Sequence, residues 1–322
     1  MRDQLLTAWR ARRVLLVCGA SRPGLYMQAL LTELGARPAR IAPGAGAAQL
    51  NRAMTQGRIG AVIVPQSACL SPSHDPVAQL SALLALLGEV REAGVPLVIL
   101  CSDAGVYRMK DRPWMAQEDD PIGGETTEGM TQSLLQLAAD GMARGLLGDA
   151  VSTIIVRHLP CLGCGHPAVS AYARWCAQLS AGEVLTVDHP GATGILLHPL
   201  DVCCGALALG ARYLLGDRTM TGAFNLGADA HNLMANRTAA LRFIRDNAGT
   251  RPIREREDTP FTPLPLLSGA RARFLCGVRS LVSGSEALNM LLALERAAQK
   301  GSGQEMRAIA EQTQAYVQRI EP

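Results

Sequence analysis

At 322 residues, with 48% hydrophobic and 18% charged residues, the chain can bury a large core and is too apolar for disorder. A net charge of +3, a single short basic run, "RARR" (10–13), and 4% aromatics argue against a nucleic-acid partner. No run reaches the roughly 18 apolar residues of a membrane span, and "VLLVC" (14–18) is too short for an export signal. The expectation is a cytoplasmic protein, with no membrane partner, whose nine cysteines are reduced thiols.

The run "VLLV" (14–17) predicts a buried strand, then a turn containing Gly19 and Gly24, then a helix with apolar positions at Leu25, Ala29, Leu30 and Leu34. "AVIVP" (61–65) and "PLVILCS" (96–102) predict two more buried strands. Between them lies a helix over 77–94, ended by Gly94. A helix follows Glu128, and "VSTIIVR" (151–157) continues the alternation. Short apolar strands alternating with helices imply an α/β fold with a doubly wound parallel sheet covered on both faces. Beyond 160 the pattern loosens. Helices are expected over 166–182, 283–301 and 305–320, a strand over 222–227 and a Pro-rich extended connection over 258–267.

"CLGCGH" (161–166) sets Cys161 and Cys164 at CxxC spacing, with His166 two residues on. Two thiolates so spaced can share a zinc ion, but a structural site needs four ligands and no second matching knuckle exists. Small-residue loop packing is the expectation, with no metal.

Seven segments, in order, resemble the extended short-chain dehydrogenase/reductase family, the NAD-dependent sugar epimerases and dehydratases. "VCGASRPGLY" (17–26) is similar to the family's glycine turn "VTGATGFIGSH", and "LCSDAGVY" (100–107) to its "SSSAxVYG". "EDDPIGGETTEGMTQS" (118–133) resembles "EDxPxxPxxPYGxSK", and "VRHLPCLGCGHP" (156–167) resembles "LRxxNVYGPG". "LLHPLDVCCGALALG" (196–210), "GAFNLGAD" (222–229) and "GARARFLCGVRSLVSGSEALNMLLAL" (269–294) match the later segments. The resemblance implies a Rossmann-like core over 1–160. It also implies a mixed region over 161–322, with further sheet strands and a smaller substrate-type lobe.

In that family a Ser/Thr, a Tyr and a Lys carry the chemistry: the tyrosine moves a proton as hydride passes to or from NAD, and the lysine tunes it. Carried over by position, the Ser/Thr falls on Asp103, the tyrosine on Glu128 and the lysine on Gln132. The formal charge of the set changes from +1 to −2, toward ligands that are themselves anionic. An ordinary carboxylate, with a pKa near 4, is only a feeble base toward a sugar hydroxyl.

The cofactor turn also departs from the pattern. Gly19, Ser21, Gly24 and Leu25 fit it, but Arg22-Pro23 occupy its middle, and proline removes one N–H that would hold phosphate. Arg22 offers a compensating charge. No acid follows the second strand in "ARIAPGAG" (39–46), where Arg40 would suit a 2′-phosphate instead. NAD or NADP and a nucleotide sugar are therefore the ligands to test.

Plainer roles compete for each of these residues. Asp103 suits a strand-end turn, and Glu128 a solvated helix start. Tyr107, Arg157, His198 and Asp201 suit packing or hydrogen bonding. Lys110 is the only lysine before residue 300, so no other can readily replace the missing one.

Three readings stay open: a non-catalytic or repurposed nucleotide- or metabolite-binding protein, an active oxidoreductase or sugar-nucleotide enzyme using an Asp103/Glu128 pair, and a purely structural subunit. The resemblance further implies a homodimer, or a heterodimer with an intact paralogue, through helices 77–94 and 128–147.

Overall fold

The computed structural model describes residues 1–42, 44–45, 47–55, 57–66, 75–108, 114–123, 127–142, 151–166, 169–258 and 265–321. The first half alternates as the apolar runs require. α1 (Arg2–Trp9) precedes β1 (Arg13–Val17), α2 (Arg22–Glu33) leads to β2 (Arg37–Ile41), and α3 (Ala47–Thr55) to β3 (Ala61–Val64). α4 (Pro76–Glu92) leads to β4 (Leu97–Asp103), and the short β5 (Met115–Ala116) and α5 (Thr127–Met142) precede β6 (Ser152–His158).

In the second half come α6 (Ser170–Ser180), β7 (Leu185–Asp188), β8 (Thr193–Ile195) and α7 (Pro199–Leu214). β9 (Gly222–Leu226), β10 (Leu233–Ala235), α8 (Asn236–Ala248), β11 (Ile253–Arg256) and β12 (Leu266–Leu267) follow. α9 (Ala270–Cys276), α10 (Gly284–Gln299) and α11 (Ser302–Arg319) close the chain. α1, α3, α7, α8 and α9 are not among the sequence expectations. α1 is only two turns long, yet it buries Leu5, Ala8 and Trp9, and the Trp9 indole donates to the Leu207 carbonyl of α7 at 3.1 Å.

Six strands form one parallel sheet in the order β2-β1-β3-β4-β6-β9. The fold class read from the sequence is the one the structure has. The central strands are aliphatic on both faces, which is why "AVIV" and "LVIL" read as unbroken apolar runs. β2 is the opposite case: "RPARI" is mostly exposed, with charges and a proline on the sheet edge, where no further strand demands its N–H groups. Only α3 connects β2 to β3, so β2 alone lies outside β1. The six-stranded dinucleotide-binding order has two strands on that side.

Right-handed crossovers put α2 on one face and α4 and α5 on the other. α7 packs with both α1 and α2, and α3 with α4. The remaining strands make three pairs, β10 with β8, β11 with β7 and β12 with β5. The last helix, α11, returns to lie along α2 and α10, so the C-terminus of the chain sits on its first βαβ unit. Among the described residues no helix is long and apolar enough to cross a membrane.

Candidate functional site

The strand order reverses at β1, with β2 on one side and β3 on the other, and ligands of such sheets bind in the crevice outside the carboxyl ends of the strands at such a point. The loop from β1 to α2 forms its floor. Ser21 is the N-cap of α2, and its hydroxyl accepts the Gly24 N–H at 3.3 Å. Pro23 has no N–H to offer, and Leu25 bonds back to the Ser21 carbonyl at 2.9 Å. The helix start is thus largely satisfied from within. Gly24 is required for packing: a Cβ there would sit 2.6 Å from the Cys18 sulfur, so the helix can approach β1 this closely only without a side chain.

Arg22 is not directed to open solvent. Its guanidinium forms a fork with Glu295 of α10 (2.5 and 3.1 Å), and its Nε meets Glu305 of α11 at 2.9 Å. Those carboxylates, Glu295 first, hold its pKa above the ordinary arginine value. Tyr26 donates to Gln312, a second tie between α2 and α11. Sequence reasoning missed both glutamates, because nothing near the glycine turn announces partners more than 270 positions away. Arg40, exposed at the end of β2, donates to the Gly19 carbonyl at 3.4 Å and so stands beside the turn.

Across the crevice, the ends of β4 and β6 pair Asp103 with His158 in register. Asp103 Oδ1 accepts the Gly105 N–H at 2.6 Å and caps the turn over 104–106. Its Oδ2 lies 3.9 Å from His166 Nε2. His158 is buried, its Nδ1 is bonded to the Leu159 carbonyl, and burial holds its pKa below the usual imidazole value. α5 packs against the same turn, with Ser133 donating to the Val106 carbonyl at 3.2 Å. Glu128 and Gln132 lie in the first two turns of α5, but their side chains, like Lys110, are outside the described residues.

One residue deeper, a buried polar row crosses three strands in register: Ser102, Arg157 and Asn225. Arg157 donates to Gln136 at 2.5 Å, to the Tyr107 hydroxyl at 2.8 Å and to the Glu118 carbonyl at 3.0 Å. Tyr107 in turn donates to Asn225 at 2.7 Å, and Gln136 to Ser102 at 2.7 Å. The hydrogen-bonding roles expected of Tyr107 and Arg157 are these. His198 and Asp201 also act structurally. His198 caps α7 by accepting the Leu200 N–H at 3.2 Å, and Asp201 accepts from Leu281 N–H and the Tyr316 hydroxyl.

The loop after β6 roofs the crevice. Gly163, with φ of 76°, is so close to Arg22 that a Cβ would lie 3.5 Å from the guanidinium, and Gln66 beyond β3 donates to the Cys164 carbonyl at 3.4 Å. Among the described residues no group of three or more His, Cys, Asp or Glu is arranged to hold a metal ion.

Solved structures with this architecture are numerous. UDP-glucose 4-epimerase of Thermus thermophilus, solved with NAD, is 17% identical over 89% of this chain and 99% of its own, with a TM-score of 0.71. A dTDP-glucose 4,6-dehydratase of Streptomyces venezuelae, solved with NAD and TYD, is 17% identical over 91% and 99%, with a TM-score of 0.70. An epimerase of Methanothermobacter thermautotrophicus is 17% identical over 99% and 97%, with a TM-score of 0.71. The chain has the fold of these epimerases and this dehydratase. No protein-family profile and no curated protein sequence matches it.

Within this fold, a dinucleotide pyrophosphate needs free N–H groups at the start of α2 and unneutralised positive charge beside them. The residues present offer less of each than a glycine-rich turn does. Ser21 and Pro23 close the helix start, and two carboxylates already engage Arg22. Arg40 is a further cation beside the turn.

Proposed function

We propose that the chain is a repurposed, non-catalytic member of the epimerase/dehydratase group: a cytoplasmic nucleotide- or metabolite-binding protein that does not run hydride-linked sugar chemistry. One observation carries this reading. At position 103, where the family keeps an alcohol, a carboxylate oxygen caps its own turn, and positions 128 and 132 carry Glu and Gln in place of a phenol and an ammonium. Loss of positioned acid–base catalysis alone costs about 10²–10⁴ in rate. The internally capped turn and paired Arg22 further support weak dinucleotide binding.

The test is calorimetric titration with NAD and NADP, with turnover assays on UDP- and dTDP-sugars. The expected result is no turnover above buffer and a dissociation constant for NAD weaker than that of a Glu295→Gln/Glu305→Gln variant by about tenfold or more, since that variant frees the Arg22 charge. A steady epimerase or dehydratase rate that disappears in Glu128→Ala would overturn the reading. The rival active-enzyme reading has one observation of its own, His166 beside Asp103. It requires activity lost in both His166→Ala and Asp103→Asn.

The same proposal includes a homodimer through α4 and α5. α5 buries Thr131, Ser133 and Gln136 together with Leu135, and exposes Met130, Leu134 and Leu137, with Leu84 of α4 also exposed. An apolar stripe at i, i+4, i+7 on a solvent-facing helix calls for a partner. Light scattering at micromolar concentration should give twice the chain mass of 34.1 kDa, and Leu134→Glu/Leu137→Glu should give the monomer. A wild-type monomer would remove this part of the proposal.

A further inference from the structure

We propose that Cys161 and Cys164 form a redox-active dithiol that exchanges with small-molecule disulfides. This site goes beyond the ligand reading and stands whether or not the crevice binds a nucleotide. The two residues frame a single tight turn: Cys164 N–H bonds to the Cys161 carbonyl at 3.3 Å. A four-residue turn keeps its end Cα atoms within about 7 Å, and a disulfide spans about 4.4–6.8 Å. Cys161 is pinned, since its backbone bridges Leu197 and the next N–H, that of Leu162, bonds to the Leu197 carbonyl at 2.8 Å. Burial is asymmetric: Cys161 is 1% exposed, while Cys164 is half-buried at the rim of the crevice.

The electrostatics follow the geometry. Cys161 donates its S–H to Cys164, which also gains a hydrogen bond from the backbone of His166, and these hold the Cys164 thiol below its ordinary pKa. Cys161 moves up, as the donor of that bond and by burial. Elsewhere burial pushes Cys176 and Cys204 up to about 12 and Cys276 up to about 11. Asp103 opposes the Cys164 thiolate but does not outweigh the two hydrogen bonds. Cys164 is the nucleophile and Cys161 the resolving thiol.

The exchange balances in two displacements. The Cys164 thiolate attacks one sulfur of a small disulfide, forming a mixed disulfide and expelling one thiolate, which takes a proton from solvent. Cys161 then loses its proton to solvent and attacks the Cys164 sulfur, closing the intramolecular disulfide and expelling the second thiolate. The protein dithiol is oxidised by two electrons, and the small disulfide is reduced to two thiols.

The full chain, reduced and desalted, is incubated with oxidised glutathione, quenched with acid, alkylated and mapped by mass spectrometry. In wild type, both cysteines of the 161–164 segment should become inaccessible to alkylation together. Cys161→Ser should trap glutathione on Cys164, and Cys164→Ser should leave Cys161 unmodified. Without any variant, the alkylation rate of Cys164 at pH 7 should exceed that of Cys276 by about tenfold or more. In Cys161→Ala, which removes the S–H donor, the pH midpoint of that reaction should rise. A 161–164 segment that stays reduced while other cysteines react, or a Cys164 no faster than Cys276, overturns the proposal. So does stoichiometric zinc in the native protein that is lost in Cys164→Ser.

Discussion

Replacing Arg157 with Met should lower the free energy of unfolding by about 3–5 kcal/mol, with little change in the denaturant slope. The guanidinium is 3% exposed and satisfies three groups at once: the Gln136 side-chain oxygen, the Tyr107 hydroxyl and the Glu118 carbonyl. It also lies over the Tyr107 ring at 5.1 Å. Removing it leaves acceptors that water cannot reach, and each such orphan costs about 1–3 kcal/mol. Arg157→Lys should recover only part of the loss, because an ammonium cannot reproduce the planar fork. Tyr107→Phe, which deletes one hydroxyl, should cost about 1 kcal/mol. Urea titrations of the three variants decide the matter. A loss below about 1 kcal/mol for Arg157→Met would mean that the row beneath the site is not held by this residue.

The second large effect is a pair of opposed pH dependences that wild type hides. Burial lowers the His198 pKa to about 3 and raises that of Asp201 to about 7. His198 keeps its Nδ1 free to accept the Leu200 N–H, so folding favours the neutral ring. In the unfolded chain its pKa returns to about 6.5, so its contribution to stability is present above that pH and is lost as pH falls from 6.5 toward 3. Asp201 acts in the other direction. Its unfolded pKa is about 3.9, so the folded state binds the extra proton, and stability is lost as pH rises from 4 to 7. Each displacement of about three units corresponds to about 4 kcal/mol at full extent.

Across pH 4–6.5 the two slopes offset each other. Asp201→Asn should therefore expose a protein that weakens on acidification below pH 6.5. His198→Asn, which keeps a capping oxygen, should expose one that weakens as pH rises from 4 to 7. Urea midpoints at pH 4, 5, 6 and 7, each referred to wild type, read this directly. Curves parallel to wild type would show that neither group titrates as its burial implies.

The sheet was legible from local chemistry. Val14–Val17, Ala61–Val64 and Leu97–Cys101 are aliphatic at consecutive positions, and only a strand covered on both faces uses such a run. Likewise, α2, α4, α10 and α11 announce themselves by helical spacing and, in the first three, by the caps Ser21, Asp75 and Ser283. The short α1 was not legible, because two turns give too little periodicity to read. The outward-facing leucines of α5 mark it as a helix, but its inward polar face becomes intelligible only beside Arg157 and Ser102.

At the candidate site the division is sharper. Motif order points to positions 103, 128 and 132, because the spacing that marks them is local. The sequence alone determined the parallel α/β core and its apolar central strands, because burial patterns act over a few residues. Tertiary structure alone decided that Arg22 is paired with Glu295 and Glu305, that Asp103 turns its carboxylate on its own backbone beside His166, and that β2 is the sheet edge. Electrostatic partners are chosen by proximity in space, and residues 273 and 283 positions apart leave no mark on one another until the chain has folded.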